Sequence, residues 1–339
     1  MIFLEERIKN FLERFFNPET KPVQSLLFYG EEAIGKKTIA LAFVKALLCQ
    51  AEQKTWNGCG QCQNCLRFDK GLHPDFLLLE PINNDFERSE KQGSPERSEG
   101  GSYIPIETVR KAIEFLHYEP QFSFLRILII NEADRLKEDA QNTLLKTLEE
   151  PPHNTLIIFI TALPQRLLTT VLSRLLALRF YRASTKEIVD FLIHQQSLCL
   201  PKAQEIAEKA DGKIGLAFRL LDREYLEDIE KNQKKLAIIL ESDFLGQLQY
   251  LQELADDKVH LLTVLKIWLK TLSQEIKAEI LNQSSIQSKK RSLNLSFASK
   301  VHLAKELLKA FHLISDYNIN SSLLLENIFL NYKFDQVLK

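Results

Sequence analysis

The chain has 339 residues, of which 45% are hydrophobic and 26% charged, and its formal net charge is −1. Such a composition is ordinary for a globular protein, and the length predicts about two or three domains. A charge so close to zero excludes a global electrostatic attraction to DNA or to membranes. Any contact with nucleic acid must therefore be local or made through partners.

The beginning of the sequence bears on location. Its first residues, Met-Ile-Phe-Leu-Glu-Glu-Arg, lack the basic-then-apolar order of a signal peptide. No apolar run in the sequence approaches the ~20 residues that are needed to span a bilayer. We therefore expect a cytoplasmic protein that has no membrane partner.

The first predicted strand, 25–29, runs into a glycine-containing loop, and residues 38–48 after the loop have the apolar spacing of a helix. The loop reads Gly-Glu-Glu-Ala-Ile-Gly-Lys-Lys-Thr and contains Gly30, Gly35 and Lys36 at the spacing of a phosphate-binding loop. In such loops backbone N–H groups surround the phosphates at a helix N-terminus, and the lysine reaches the terminal phosphates. The pattern predicts a nucleotide-binding scaffold, with an ordinary strand–helix turn as the alternative.

The next residue departs from this pattern. Lys37 occupies the position of the Ser or Thr whose hydroxyl normally binds Mg²⁺. An ammonium group has no lone pair and repels a divalent cation. The loop therefore predicts poor hydrolysis and passive nucleotide binding at most, unless a one-residue shift brings Thr38 to the metal.

Four of the five cysteines lie in one short segment. They are Cys49, Cys59, Cys62 and Cys65. The two-residue gaps allow thiolates of one tight turn to meet a single Zn²⁺, and Cys49 would complete the tetrahedron from the end of the preceding helix. In a cytosolic protein a metal is favoured over a disulfide, and the absence of a fourth Cys-Pro argues against an iron–sulfur cluster. We predict a structural zinc module over 49–65, with free thiols, a redox pair or a His73 ligand as alternatives.

Residues 83–102 interrupt the globular pattern. They repeat Glu-Arg-Ser-Glu and contain almost no apolar side chain. Because such a segment cannot bury enough apolar surface to order itself, we predict a solvated, disordered insertion.

Alternating elements follow the insertion. Residues 106–117 and 138–150 have helical spacing, and 125–130 and 155–160 are apolar runs typical of buried strands. Strands that alternate with helices predict a parallel sheet with helices on both faces.

The second nucleotide motif is altered as well. A hydrolase usually has Asp-Glu after this strand, in which the Asp positions Mg²⁺ through water and the Glu polarises the attacking water. Here Asn131 replaces the Asp, whereas Glu132 remains. A neutral amide is a poorer partner for a divalent ion. Together with Lys37, this makes two independent departures on the metal side of the site.

From about residue 185 the sequence predicts helices alone. Short amphipathic stretches at 184–194, 201–209 and 215–222 suit a small lid, and 229–281 and 298–336 predict longer helices. A helical bundle that follows a nucleotide-binding core is more often an assembly surface than a catalytic one.

Several stretches together resemble the bacterial DNA polymerase III clamp-loader subunits, which belong to the AAA+ class. They are the phosphate-binding loop, the four cysteines, His73-Pro-Asp75, Asn142-Thr-Leu-Leu-Lys-Thr-Leu-Glu-Glu-Pro-Pro152, Ser173-Arg174 and Asn318-Ile-Asn-Ser-Ser-Leu-Leu-Leu-Glu-Asn327. The resemblance covers essentially the whole chain apart from 83–102. It implies an α/β AAA+ domain over 1–182 with the zinc module inserted, a helical lid over 183–228 and an all-α collar domain over 229–339.

The departures indicate which kind of subunit this is. The family's gamma/tau motor subunits keep an intact loop, an Asp-Glu pair and a lid arginine that touches the γ-phosphate, whereas this chain has Lys37, Asn131 and Gly215 there. The resemblance therefore implies the non-hydrolysing stator, a component of the DNA polymerase III holoenzyme. The alternative is a motor subunit or a stand-alone AAA+ ATPase, in which Thr38 would bind Mg²⁺ and Glu132 would activate water.

The resemblance also gives Arg174 a role. In the family the Arg of Ser-Arg-Cys reaches into the neighbouring subunit's ATP site, where a fixed guanidinium stabilises charge on the γ-phosphate. This chain has Leu175 instead of the Cys but keeps the Arg; on local sequence alone, Arg174 reads as a surface charge. The implied partners are gamma/tau and delta subunits in a hetero-pentameric ring, with the sliding clamp and primer–template DNA contacted through the complex.

Overall fold

The structure is a computed structural model of the chain. It describes residues 6–17, 23–52, 55–82, 103–196, 198–241, 244–281, 295–316 and 319–337, and the predicted insertion at 83–102 lies outside them. The described chain divides between Leu221 and Asp222 into two compact units.

In the first unit, strands alternate with helices. In chain order the elements are α1 (Glu6–Glu13), β1 (Ser25–Tyr29), α2 (Lys36–Leu48), α3 (Gln63–Asp69), β2 (Phe76–Leu79), α4 (Ile106–His117), β3 (Arg126–Ile130), α5 (Glu138–Glu149), β4 (Thr155–Thr161), α6 (Thr169–Leu172), β5 (Leu176–Arg179), α7 (Thr185–Gln196), α8 (Leu200–Ala210) and α9 (Ile214–Arg219).

The five described strands form one parallel sheet in the order β2-β3-β4-β1-β5. Alternate residues of a strand point to opposite faces. Leu26 of β1 accordingly packs in a core that includes Phe43 of α2, whereas Leu27 packs in a second core that includes Leu144 of α5. This confirms the predicted parallel sheet with helices on both faces.

The two edge strands, β2 and β5, are not among the strands predicted from the sequence. Each has only four residues, and neither is buried along its length as β3 and β4 are. Short, partly exposed edge strands lack the continuous apolar run that marks a central parallel strand. Between β4 and β5, the helix α6 is only four residues long, and it ends at Leu172 shortly before β5 begins at Leu176.

The second unit is helical, as the sequence predicts. Its elements are α10 (Arg223–Glu241), α11 (Phe244–Asp256), α12 (Lys258–Leu281), α13 (Phe297–Asp316) and α14 (Ser321–Val337). Trp268 is fully buried in the core of this unit and donates its indole N–H to the carbonyl of Asn232 at 3.0 Å. The buried Lys300 of α13 lies 2.8 Å from Glu275 and 2.7 Å from Glu279 of α12. Among the described residues, no helix has both the length and the apolarity to cross a membrane.

Candidate nucleotide loop and metal site

The phosphate-binding loop has the predicted strand–loop–helix geometry. Gly30 follows β1, and Gly35 is the residue that precedes the first turn of α2. Both glycines have positive φ angles, 145° and 96°. A Cβ atom on Gly30 would lie 2.4 Å from the carbonyl oxygen of Phe180, and one on Gly35 would lie 3.0 Å from Ile214. The loop path therefore requires glycine at both positions.

Lys36 is bound to the loop itself. Its side chain is nearly buried, and its Nζ donates to the carbonyl oxygens of Gly30 at 2.7 Å and of Glu31 at 2.5 Å. Burial lowers the pKa of Lys36 to about 8, against the opposing effect of carboxylates that include Glu32 and Asp134. The ammonium thus occupies the inside of the loop, and a phosphate would have to compete with these carbonyls for it.

The two metal-side departures meet at one carboxylate, that of Glu80. The Nζ of Lys37 lies 2.7 Å from Glu80 Oε1, and the Nδ2 of Asn131 donates to the same oxygen at 2.9 Å. Glu80 directly follows β2 and Asn131 directly follows β3, and these strands are neighbours in the sheet. The carboxyl ends of parallel strands form one edge of the sheet, which brings both residues beside the loop after β1.

The sequence analysis does not identify Glu80. The available signal is an acidic residue directly after the apolar run 76–79, but that run is not among the predicted strands. Without β2, Glu80 has no assigned place at the carboxyl edge. Lys37 and Asn131 are therefore separate departures in the sequence, whereas in the structure they belong to one cluster.

Glu132 and Asp134 lie on the short turn after β3. Glu132 has a left-handed backbone with φ of 50°, and its carboxylate lies 3.8 Å from the Nε of Arg135. Asp134 accepts a 2.5 Å hydrogen bond from the hydroxyl of Thr161, which lies at the end of β4. The retained carboxylate of Glu132 is thus exposed and near an arginine without a hydrogen bond between them, and Asp134 and Thr161 are additional polar residues at the carboxyl edge.

A set of ion pairs connects the loop with the segments on either side of α7 and α8. The carboxylate of Glu31 receives two bonds from Arg182, at 2.8 and 2.7 Å, and lies 3.2 Å from the Nζ of Lys213. Arg182 also pairs with Asp211 at 2.7 Å. The hydrogen bond from Arg182, assisted by Lys213, lowers the pKa of Glu31 to about 2.

The start of α9 touches the loop directly. The backbone N–H of Gly215 donates to the carbonyl oxygen of Ala33 at 2.8 Å. A Cβ atom on Gly215 would lie 2.8 Å from that oxygen. Position 215 is therefore closed to any side chain unless the backbone shifts.

Arg174 follows α6 and is held by local contacts. Its Nε and Nη2 donate to Glu149 Oε1 at 3.1 and 2.6 Å. Its Nη1 donates to the carbonyl of Thr170 at 2.7 Å and to the hydroxyl of Ser173 at 3.1 Å. The side chain keeps 32% of its surface exposed. The guanidinium is therefore fixed in orientation and still accessible.

The four predicted cysteines converge. Their sulfur atoms all lie within 4.8 Å of one another, with 3.9 Å between Cys49 and Cys62 and 4.0 Å between Cys59 and Cys65. Four sulfurs around one Zn²⁺ at about 2.3 Å would be separated by about 3.8 Å in a tetrahedron. The cluster therefore has nearly the dimensions of a tetrahedral metal site.

Backbone geometry supports a metal at this cluster. Backbone N–H groups point at the sulfurs, including that of Cys59 toward Cys49 at 3.3 Å and that of Cys65 toward Cys62 at 3.4 Å. Such N–H groups lower the pKa of Cys59 to about 6, whereas burial raises that of Cys65 to about 12. A Cβ atom on Gly58 would lie 2.7 Å from the sulfur of Cys65. The turn thus leaves room for the sulfurs, and the four residues can hold a metal ion.

His73 is not part of this group of four. Its Nδ1 accepts the backbone N–H of Asp75 at 3.2 Å, and burial lowers its pKa. Asp75 in turn accepts backbone N–H groups of Gln121, Phe122 and Ser123 at 2.7 to 3.0 Å. The His-Pro-Asp turn therefore fixes the loop before β3.

A family model described as DNA polymerase III, delta subunit matches residues 5–184. DNA polymerase III subunit delta′ of Bacillus subtilis (strain 168) is 34% identical over 169 residues, which are 50% of this chain and 45% of that protein. DNA polymerase III subunit tau/gamma of Haemophilus influenzae is 28% identical over 202 residues, 58% of this chain and 26% of that protein. The matched regions thus span less than half the length of these relatives.

Among solved structures, a DNA polymerase III gamma subunit-related protein from Thermotoga maritima covers 97% of this chain and 98% of its own, with 16% identity and a TM-score of 0.39.

Proposed function

The chain belongs to the DNA polymerase III delta subunit family, and from that premise we propose that it is the delta-prime subunit, the non-hydrolysing stator of the clamp loader. In this role it would help to load the sliding clamp on primed DNA. It would complete the ATP site of a neighbour rather than turn over ATP itself.

The observation that carries the proposal is the single oxygen, Glu80 Oε1, shared by Lys37 and Asn131. A hydrolase needs a hydroxyl and a carboxylate at these two positions to hold Mg²⁺. Here the positive charge next to the carboxylate comes from Lys37, and Asn131 directs its N–H donor toward the same oxygen. Both substituted side chains thus have the same partner, Glu80, as expected of a site that works without the metal.

The contacts of the loop also support a non-hydrolysing subunit. The ammonium of Lys36 is bound to loop carbonyls, and at Gly215, where the resemblance implies the motor subunits' lid arginine, a Cβ atom would meet the backbone of Ala33. The alternative motor function would require Thr38 to bind Mg²⁺ and Glu132 to activate water, although Lys37 and Asn131 take the usual places of the metal-side hydroxyl and carboxylate. We therefore assign to Gly30, Gly35 and Lys36 passive nucleotide binding at most.

Arg174 is the residue that we propose acts on a neighbouring subunit. An arginine that stabilises a γ-phosphate in trans must be exposed and must keep a fixed orientation. The partial exposure of Arg174 and its bonds to Glu149, Thr170 and Ser173 meet both requirements.

The proposed partners follow from the same role. Arg174 needs a gamma/tau motor subunit beside it, and we propose a hetero-pentameric ring with gamma/tau and delta in which the helices α10–α14 form a collar. Contacts with the sliding clamp and primer–template DNA would be made through that complex. The four-cysteine cluster would hold a structural Zn²⁺, because thiolates at tetrahedral spacing suit zinc and leave no open position for catalysis.

One test concerns the isolated protein. We expect no Mg²⁺-dependent ATP turnover by the purified chain above the level of its Lys36→Ala variant. Robust turnover that Lys36→Ala abolishes would contradict the stator proposal.

A second test concerns the reconstituted complex. Arg174→Ala should leave assembly intact, as measured by gel filtration, but lower DNA-stimulated ATP hydrolysis. Arg110→Ala, which removes an exposed arginine of α4, is the matched control and should have no effect. An unchanged ATPase rate in the Arg174→Ala complex would count against the trans-acting role.

A further inference from the structure

We propose that Glu149 is the positioning residue of Arg174, so that this one carboxylate at the end of α5 and the Ser-Arg motif act together. This inference rests on the proposed function of Arg174. It assigns a role to a carboxylate that the family resemblance leaves as part of a sequence pattern.

The first argument is the geometry of the guanidinium. An arginine has five N–H donors. Four are used here: Nε and one Nη2 donor bond to Glu149 Oε1, and Nη1 contacts the Thr170 carbonyl and the Ser173 hydroxyl. One donor on Nη2 remains for a phosphate. Glu149 therefore engages one side of the planar group, while the backbone after α6 holds the other.

The second argument is the place of Glu149 in its helix. It is the last residue of α5, where the negative end of the helix dipole disfavours a carboxylate. Helix stability alone would favour a neutral or basic residue there. The contact with Arg174 is the interaction that compensates for this position, and it links α5 to the segment after α6.

The third argument is that the supporting elements are themselves held in place. At the other end of the α5–α6 contact, the buried Gln141 accepts the backbone N–H of Leu168 at 2.7 Å and donates to the carbonyl of Arg166 at 3.2 Å. Gln141 and Glu149 are eight residues apart on α5, about 12 Å along the helix axis. Beyond Glu149, the carbonyl of Pro152 accepts a 2.8 Å hydrogen bond from Gln24, just before β1. Arg174 thus lies where α5 contacts the segment around α6, and hydrogen bonds connect these two elements at both ends of the contact.

Glu149 would affect the rate of ATP hydrolysis in the neighbouring subunit, because Arg174 acts on the transition state there. A guanidinium whose rotamer is already fixed loses less entropy when it meets the developing charge on a γ-phosphate. Loss of Glu149 should therefore reduce kcat at the neighbouring site with little change in KM for ATP, since ground-state binding of nucleotide belongs to the neighbour.

The test uses a reconstituted complex in which the motor subunits' own trans-acting arginines are replaced by alanine. In that complex, the ATP site that still receives an arginine from an adjacent subunit is the site next to this chain. Arg174→Ala should lower its kcat on the order of 10³-fold. Glu149→Ala should lower kcat about 10-fold, as loss of a supporting partner does, with KM for ATP within about twofold. Glu149→Gln, which keeps an acceptor oxygen, should lie between Glu149→Ala and the unmodified chain.

Two comparisons exclude a merely structural effect. Glu150→Gln makes the same charge change one residue further on, at an exposed position, and should leave kcat unchanged. The double variant Glu149→Ala/Arg174→Ala should be no slower than Arg174→Ala alone, because Glu149 acts through that arginine. Co-elution in gel filtration checks that each variant assembles. If Glu149→Ala does not assemble, Glu149→Gln still tests the proposal.

The outcomes separate the two proposals. A normal kcat in assembled Glu149→Ala and Glu149→Gln complexes, with a strong loss for Arg174→Ala, overturns the role of Glu149 and leaves the proposed function standing. A normal kcat for Arg174→Ala overturns the proposed function and this inference together.

Discussion

The backbone N–H of Gly215 and the carbonyl oxygen of Ala33 form a 2.8 Å hydrogen bond between the first turn of α9 and the phosphate-binding loop. A Cβ atom on Gly215 would lie 2.8 Å from the same oxygen, so this approach of the two backbones requires glycine at position 215. The hydrogen bond joins the predicted phosphate-binding loop to a helix that has glycine at position 215.

Gly215→Ala tests this contact through stability. Alanine is intrinsically the better helix former by about 1 kcal/mol, so a free helix would be stabilised. Because the new Cβ would lie 2.8 Å from the Ala33 oxygen, we expect the opposite sign, a loss of about 1–3 kcal/mol in the free energy of unfolding measured with urea. A stabilised variant would show that α9 does not press on the loop.

The Lys37–Glu80–Asn131 cluster predicts a latent cation site. Lys37→Thr combined with Asn131→Asp would remove the ammonium and place a second carboxylate beside Glu80, at a position where the two side chains are now 2.9 Å apart. Two unpaired carboxylates repel each other, and oxygen ligands suit Mg²⁺. We expect Mg²⁺ at 100 times its dissociation constant to stabilise this double variant by about 2.7 kcal/mol in thermal unfolding. The unmodified chain is the control, and an equal response from it would refute the interpretation.

The lowered pKa of Glu31 predicts that its contribution to the free energy of unfolding depends on pH. Its pKa is lowered from 4.5 to about 2, chiefly by Arg182, so its contribution to stability is complete above pH 4.5 and is lost as the pH falls toward 2. The side chain is half exposed, which limits the contribution to about 0.5–1 kcal/mol. Glu31→Gln should therefore be less stable than the unmodified chain at pH 7, and the difference should shrink below pH 4.5 and disappear as the pH falls through about 2. Urea unfolding at several pH values measures this difference, and Glu150→Gln serves as the control.

The cysteine cluster predicts one zinc ion per chain in elemental analysis. Cys62→Ser should lower the zinc content and reduce the free energy of unfolding by at least about 2 kcal/mol, because a structural metal contributes directly to folding. Cys199→Ser alters the exposed fifth cysteine, which precedes α8 and lies outside the group of four, and should change neither quantity. Equal zinc content in the two variants would exclude the assigned ligand set.

Much of the fold could be predicted from the sequence, since β1, β3 and β4 are continuous apolar runs and Gly30, Gly35 and Lys36 have a distinctive spacing. The cysteine group was equally accessible, because its ligands are close in sequence. Glu80 was not, as its role depends on β2, an edge strand too short for a clear pattern. The pairing of Glu149 with Arg174 could not be predicted for another reason. The two residues are 25 positions apart, and the sequence pattern around them does not indicate that they are in contact.

Helix α2 begins at Lys36 in the phosphate-binding loop and ends at Leu48, next to Cys49 of the cysteine cluster. In a working nucleotide hydrolase the first end of this helix is fixed by the bound phosphates. In this chain the far end can also be fixed by a metal held at the four cysteines, which is an anchor independent of bound nucleotide. The position of this helix would then not depend on whether nucleotide is bound at its first end.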